Sequence, residues 1–126
     1  MSRKILIADD EPHIRRLIEQ SLEELEDEGV VILTAPDGQE ALDVIRKERP
    51  DLIILDVMMP LMNGFDVCEK TKSDQSLNSA FVMLLTAKGQ EYDRRRGESV
   101  GADRYMTKPF DPDELLATAR KVLNLP

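Results

Sequence analysis

Leu52-Ile53-Ile54-Leu55-Asp56 sets four consecutive large apolar residues directly before a carboxylate. An unbroken apolar run of this length suits a strand covered on both faces, as in parallel sheets flanked by helices. The acid that closes it is a poor place for an idle charge, because burying a lone carboxylate is costly. Outward from this stretch the pattern recurs. Upstream, Ile5-Leu6-Ile7-Ala8 ends in Asp9-Asp10-Glu11, and Val30-Val31-Ile32-Leu33 reads as a second strand. Downstream, Phe81-Val82-Met83-Leu84-Leu85 ends at Thr86, and residues 102–107 form a weak fifth strand leading into Lys108-Pro109.

The intervening segments carry helical spacing. Pro12 suits a first helical turn. Ile14, Leu17, Ile18, Ser21, Leu22 and Leu25 fall on one stripe, which predicts a helix ended by Gly29. Asp37-Gly38-Gln39-Glu40 resembles a capping box before Ala41, Leu42 and Ile45. Pro50 breaks that helix. A turn region with Pro60, Asn63 and Gly64 precedes a helix bearing Phe65 and Cys68. Asp111-Pro112-Asp113-Glu114 supplies an N-cap, a first-turn proline and a capping-box Glu for a last helix, whose stripe is Leu115, Leu116, Ala119, Val122 and Leu123. Five strands alternating with five helices predict an α/β fold, a mostly parallel sheet with helices on both faces. No linker or composition shift points to a second domain, so 1–126 reads as one unit.

Residues 88–99 differ from the other helical stretches. Tyr92 is their only large apolar residue, and Arg94-Arg95-Arg96-Gly97 occupies the middle. Such a helix anchors weakly. A solvated surface helix and a movable switching element remain equally open readings.

Composition bounds the function. With 126 residues, 41% of them hydrophobic but only 4% aromatic, the chain supports one aliphatic core. A formal net charge of −8 disfavours direct contact with nucleic acid and with anionic membranes. The single cysteine, Cys68, excludes an internal disulfide, which is compatible with a cytoplasmic location. No stretch approaches the roughly 20 apolar residues of a membrane span.

In parallel α/β sheets ligands bind beyond the carboxyl ends of the strands. Those ends carry Asp9, Asp10, Glu11, Asp56, Thr86 and Lys108. Clustered carboxylates repel one another, and a hard divalent cation such as Mg²⁺ would neutralise them. A carboxylate can itself attack phosphorus to give an aspartyl phosphate. Cation and ammonium would then offset charge on the phosphoryl oxygens, and Thr86 could donate to one of them. Singly, each residue has a plainer role: Asp9 and Asp10 as helix caps, Thr86 as a turn residue, Lys108 as a surface lysine. The set points to chemistry. His13 reads as a surface residue, Cys68 as core, and Met58, Met59 and Met62 as loop packing.

From about residue 3 to 124 the chain resembles the receiver domains of two-component response regulators. The likeness rests on Ile5-Leu6-Ile7-Ala8-Asp9-Asp10-Glu11, on Pro50 through Pro60, on Asn63-Gly64, on Leu85-Thr86-Ala87, and on Gly101-Ala102-Asp103 running to Lys108-Pro109-Phe110. The resemblance implies the flavodoxin-like strand order 2-1-3-4-5 with no effector domain in this chain. It implies Asp56 as phosphoacceptor, with Asp9, Asp10, Asp56 and the Met58 backbone carbonyl holding Mg²⁺, or Mn²⁺ in its place. Lys108 and Thr86 would contact the phosphoryl group, and Thr86 and Tyr105 would move together as the switch. Met58 and Lys88 match positions that tune hydrolysis of the acyl phosphate, and the Lys108-Pro109 bond would be cis. The implied partners are a sensor histidine kinase or histidine phosphotransfer protein and a downstream effector domain or protein, with the chain a monomer or a phosphorylation-dependent homodimer. One departure stands out. Many DNA-binding regulators pair an acid after Gly-Ala-Asp with an arginine of the last helix across a dimer, and here those positions are Arg104 and Thr118.

The expected function is a switch and not an enzyme, beyond its own phosphorylation and slow dephosphorylation. A receiver-like scaffold that signals without phosphorylation is one alternative. A phosphatase with an aspartyl nucleophile is another, but such enzymes place a general acid two residues on, where this chain has Met58. A flavin or nucleotide binder would need a phosphate-cradling loop, and Asp-Asp-Glu-Pro repels phosphate.

Overall fold

The structure, a computed structural model, describes residues 3–87, 95, 96 and 98–126. Five strands, β1 (Lys4–Ala8), β2 (Val31–Ala35), β3 (Leu52–Asp56), β4 (Phe81–Ala87) and β5 (Arg104–Lys108), form one parallel sheet in the order β2-β1-β3-β4-β5. The helices are α1 (Pro12–Leu22), α2 (Gly38–Glu48), α3 (Gly64–Ser73) and α4 (Pro112–Val122). This is the doubly wound order that the resemblance implies.

Strand alternation divides the apolar residues between two layers. Ile5, Ile7, Leu52, Ile54, Met83 and Leu85 face α1 and α4, against Ile18, Leu22, Leu115 and Ala119. Leu6, Ala8, Ile53, Leu55, Val82 and Leu84 face α2 and α3, against Ala41, Ile45, Phe65 and Cys68. Every residue of β3 is buried, which is why its sequence runs apolar without alternation. Truncating a side chain such as Ile54, fully buried at the centre, would cost about 2–5 kcal/mol.

The caps hold the helices in place. Asp37 Oδ1 accepts from Glu40 N (2.8 Å), Asn63 Oδ1 from Asp66 N (2.9 Å) and Asp111 Oδ1 from Asp113 N (2.9 Å). Glu114 departs from the expected capping box: its carboxylate lies 3.2 Å from Arg104 instead. The first helix is also shorter than its stripe suggests. It stops at Leu22, and Glu23–Glu28 form a 3-10 helix closed by Gly29 at φ 88°. Acids dominate this segment, Glu-Glu-Leu-Glu-Asp-Glu, and carboxylates oppose the negative end of a helix dipole. Leu25 still reaches the core, whereas Leu17 is 42% exposed.

The fifth strand begins at Arg104, two residues later than its sequence pattern indicates. Of the expected 88–99 helix, residues 95, 96, 98 and 99 are helical. Lys88, Tyr92, Arg94 and Gly97 lie outside the described residues. Arg96 is not merely solvated: its guanidinium sits 4.8 Å over the Phe65 ring and 3.7 Å from Asp66.

Candidate functional site

The strand order reverses direction between β1 and β3, and this is where the acids meet. Ala8 pairs with Leu55, so the residues that follow, Asp9 and Asp56, leave the sheet side by side. Asp9 is fully buried and Asp56 is 4% exposed, while Asp10 and Glu11 face solvent at the rim. One carboxylate oxygen from each of these four residues lies within 4.8 Å of the others. On the other side of β3, Leu85 pairs with Asp56, followed by the buried Thr86. Ala87 pairs with Lys108 at the end of β5.

Lys108 reaches across this rim. Its Nζ lies 3.0 Å from Asp9 Oδ2, 3.3 Å from Asp56 Oδ1 and 3.7 Å from Glu11 Oε1. Met58 N donates to Asp56 Oδ1 (3.3 Å), and Glu11 N donates to Asp9 Oδ1 (2.9 Å). Asp9 Oδ2 is buried and, among the described residues, has the Lys108 ammonium as an ion partner but no aligned hydrogen bond. The Lys108-Pro109 peptide is cis.

These surroundings set the charge states. Burial pushes the Asp56 carboxyl up to about 6, and the neighbouring Asp9 charge adds to this; Lys108 and the Met58 amide oppose it. Burial alone would lower the Lys108 ammonium, but Asp9 and Asp56 outweigh it and hold it above its ordinary value. Among the described residues, one ammonium pairs with three of these four carboxylates. The donor set among the described residues is oxygen only, and a buried oxygen is left without an aligned hydrogen bond. Both features fit a hard divalent cation with oxygen ligands.

The remaining sequence candidates divide. Tyr105 is half-buried against the layer that holds α2 and α3. Lys88 lies outside the described residues. Of the loop methionines, Met59 is buried and Met62 packs on the core, but Met58 is 76% exposed and contributes no packing. A side chain on β3 would continue inward, whereas Met58 lies two residues past its end and turns out to solvent. His13 is a surface residue, its side chain 74% exposed and 3.7 Å from Glu11. Cys68 is buried, as its stripe requires, and burial pushes its thiol up to about 11.

Sequence reasoning missed several supports. Arg15 Nη1 donates to the Asp9 carbonyl (2.7 Å), six residues along the chain from the acid that it steadies. Gly64 packs so closely on Asp56 that a Cβ there would strike the Asp56 carbonyl oxygen. Its place beside Asn63 in a turn was legible, but its contact with β3 was not. A cavity of about 600 Å³ lies at the opposite end of the strands, lined by Asp51 just before β3 and by Phe81 and Arg104, which begin β4 and β5.

Comparison with known proteins agrees with this geometry. Residues 5–120 match the family described as the response regulator receiver domain. The chain is 42% identical over 123 residues to the alkaline phosphatase synthesis transcriptional regulatory protein PhoP of Bacillus subtilis (strain 168), covering 98% of this chain and 49% of that protein. It spans about half the length of the curated relatives it matches. Among solved structures, the chemotaxis response regulator CheY4 of Vibrio cholerae superposes with a TM-score of 0.84 at 34% identity, covering 97% of this chain and 99% of that one. The receiver domain of the Francisella response regulator 1452 gives 0.84 at 32% identity, covering 98% of each. With a buried acid pair, a reaching lysine and a threonine on one rim of a 2-1-3-4-5 sheet, this chain belongs to the receiver domain family of two-component response regulators.

Proposed function

We propose that the chain is a phosphorylation-dependent switch whose phosphoacceptor is Asp56. The observation that carries this reading is a carboxylate, 4% exposed at the end of β3, held 3.3 Å from a lysine ammonium. The donor is a phosphohistidine on a sensor kinase or histidine phosphotransfer protein. An Asp56 carboxylate oxygen forms a bond to phosphorus as the bond from phosphorus to the donor imidazole nitrogen breaks. The electron pair leaves with the imidazole, which takes a proton from solvent. Asp56 must be ionised to attack, and with its carboxyl at about 6 it is mostly ionised at neutral pH.

Asp9, Asp10, Asp56 and the Met58 backbone carbonyl would hold Mg²⁺, with Mn²⁺ as a substitute. When bound, the cation offsets charge on the phosphoryl oxygens. Lys108 pairs with one of those oxygens and the Thr86 hydroxyl donates to another. Thr86 and Tyr105 then act as the switch pair, shifting an existing two-state equilibrium that a downstream effector domain or protein reads. The residue two beyond the acceptor is Met58, exposed and unable to act as an acid, so the acyl phosphate turns over slowly and the domain is no phosphatase. Met58 and Lys88 set that lifetime. Arg104 pairs with Glu114 within the chain.

The test is incubation with Mg²⁺ and acetyl phosphate, followed by intact mass. Wild type gains one phosphoryl group and Asp56→Ala gains none. An equal gain in both, or none in either, sinks the reading.

A further inference from the structure

The loop from Val57 to Asn63 carries the Met58 carbonyl and is gripped from two sides. On one side Gly64 N donates to Val57 O (3.1 Å). On the other, the first turn of α2 lies against the loop backbone. A Cβ on Gly38 would strike the Met62 carbonyl oxygen, 2.5 Å from its carbon and 2.8 Å from Met62 Cβ. Within the loop, Met62 N donates to Pro60 O (2.7 Å) and Leu61 stands at φ 68° with its side chain 82% exposed. A leucine in the left-handed region is strained and persists only where its surroundings over-determine it. An exposed side chain cannot supply that, so the two flanking backbone contacts must.

We infer that Gly38 is a positioning residue for the acidic site: by admitting the Met62 carbonyl against α2, it sets the path of the loop that presents the Met58 carbonyl. This rests on the reading of that carbonyl as a metal ligand. Helix propensity argues the opposite way at this position. Gly38 begins α2 with no positive φ, so alanine would ordinarily be favoured there. The close approach of the loop is what requires glycine.

The experiment compares Mg²⁺ affinity by calorimetry, with amide chemical shifts of residues 57–63 recorded without metal. Gly38→Ala should shift those amides and weaken Mg²⁺ binding about tenfold, the scale of losses at outer supports of metal sites. Gly101→Ala is the control. It also destabilises, since Gly101 stands at φ 88°, but its neighbour is Lys72, at the far end of the sheet. Its Mg²⁺ affinity should match wild type. Should Gly38→Ala not fold, Asp37→Ala and Asp37→Asn replace it. Both remove the same charge, but only Asn keeps the cap to Glu40 N. Asp37→Ala should then bind Mg²⁺ more weakly than Asp37→Asn. Unchanged Mg²⁺ affinity in folded Gly38→Ala, or equal affinities in the Asp37 pair, overturns the inference. Absence of Mg²⁺ binding by wild type overturns instead the metal reading on which it rests.

Discussion

Lys108 Nζ lies 3.0 Å from Asp9 Oδ2, a buried oxygen without an aligned hydrogen bond among the described residues. The two residues are joined only because β5 and β1 end on the same rim. Among the described residues, the ammonium is the positive charge that pairs with both this buried carboxylate and Asp56. Its loss leaves like charges facing each other in a poorly solvated site.

Lys108→Met should therefore lower stability at pH 7 by about 1–3 kcal/mol. The deficit should shrink on acidification through about 6, as Asp56 takes up a proton and the repulsion fades. Urea denaturation at pH 7 and pH 4 checks this. A deficit independent of pH would mean that the lysine matters for packing alone.

Asp56→Asn should stabilise the metal-free protein at pH 7. The folded-state value of about 6 exceeds the ordinary 3.8, so the native state binds the proton more tightly than the unfolded chain. Ionised Asp56 thus opposes folding, and wild-type stability falls as pH rises from about 4 to 6. The variant escapes this by roughly 1–2 kcal/mol at neutral pH, the shift being discounted for solvent that reaches the carboxylate. Below pH 4 this advantage should vanish. Adding Mg²⁺ should raise the melting temperature of wild type more than that of the variant. Thermal melts across pH, with and without Mg²⁺, test both parts.

Lys72 should be a structural hinge-pin away from the chemistry. Its Nζ lies 2.7 Å from Asp103 Oδ2 and donates to the Ala80 carbonyl (2.7 Å), while the same Asp103 oxygen accepts from Val82 N (2.8 Å). One partly buried pair thus ties the loop before β4 to the start of β5. Lys72→Met should cost about 1–3 kcal/mol. Its Mg²⁺ affinity and its rate of acetyl phosphate labelling should stay at wild-type level. A large loss of labelling in a folded variant would contradict this division between stability and site.

Cys68 should resist thiol reagents. It is fully buried, and burial pushes its thiol up to about 11, so little thiolate exists at pH 8. Colorimetric thiol titration should be slow in the native protein and fast in denaturant. Rapid native labelling would show that α3 opens locally far below the global unfolding free energy.

Much of the fold was legible because its signals are local. Each apolar run is a strand with period-two sorting built in, and Asp37, Asn63 and Asp111 cap helices through bonds spanning two or three residues. Where sequence reasoning erred, a second influence intervened. Leu17 sits on the stripe but near its margin, and the acidic run after Leu22 tightens the helix end into a 3-10 turn. Glu114 has the spacing of a capping box, yet Arg104, ten residues away, offers a full opposite charge.

By itself the sequence determined which residue types close each strand: acids after the first and third, a threonine in the fourth, a lysine at the fifth. It also determined the α/β class, since alternating periods of two and 3.6 are properties of short segments. Only the tertiary structure decided that Asp9 and Asp56 become neighbours, through the pairing of Ala8 with Leu55, and that Lys108 reaches both. It alone decided that Gly38 must admit Met62 and that Gly64 must admit Asp56. The physical reason is common to all four. A local pattern states which face of an element is apolar, but not which distant element will cover it. Distances of about 3 Å between residues far apart in the chain exist only once the strands have chosen their partners and register.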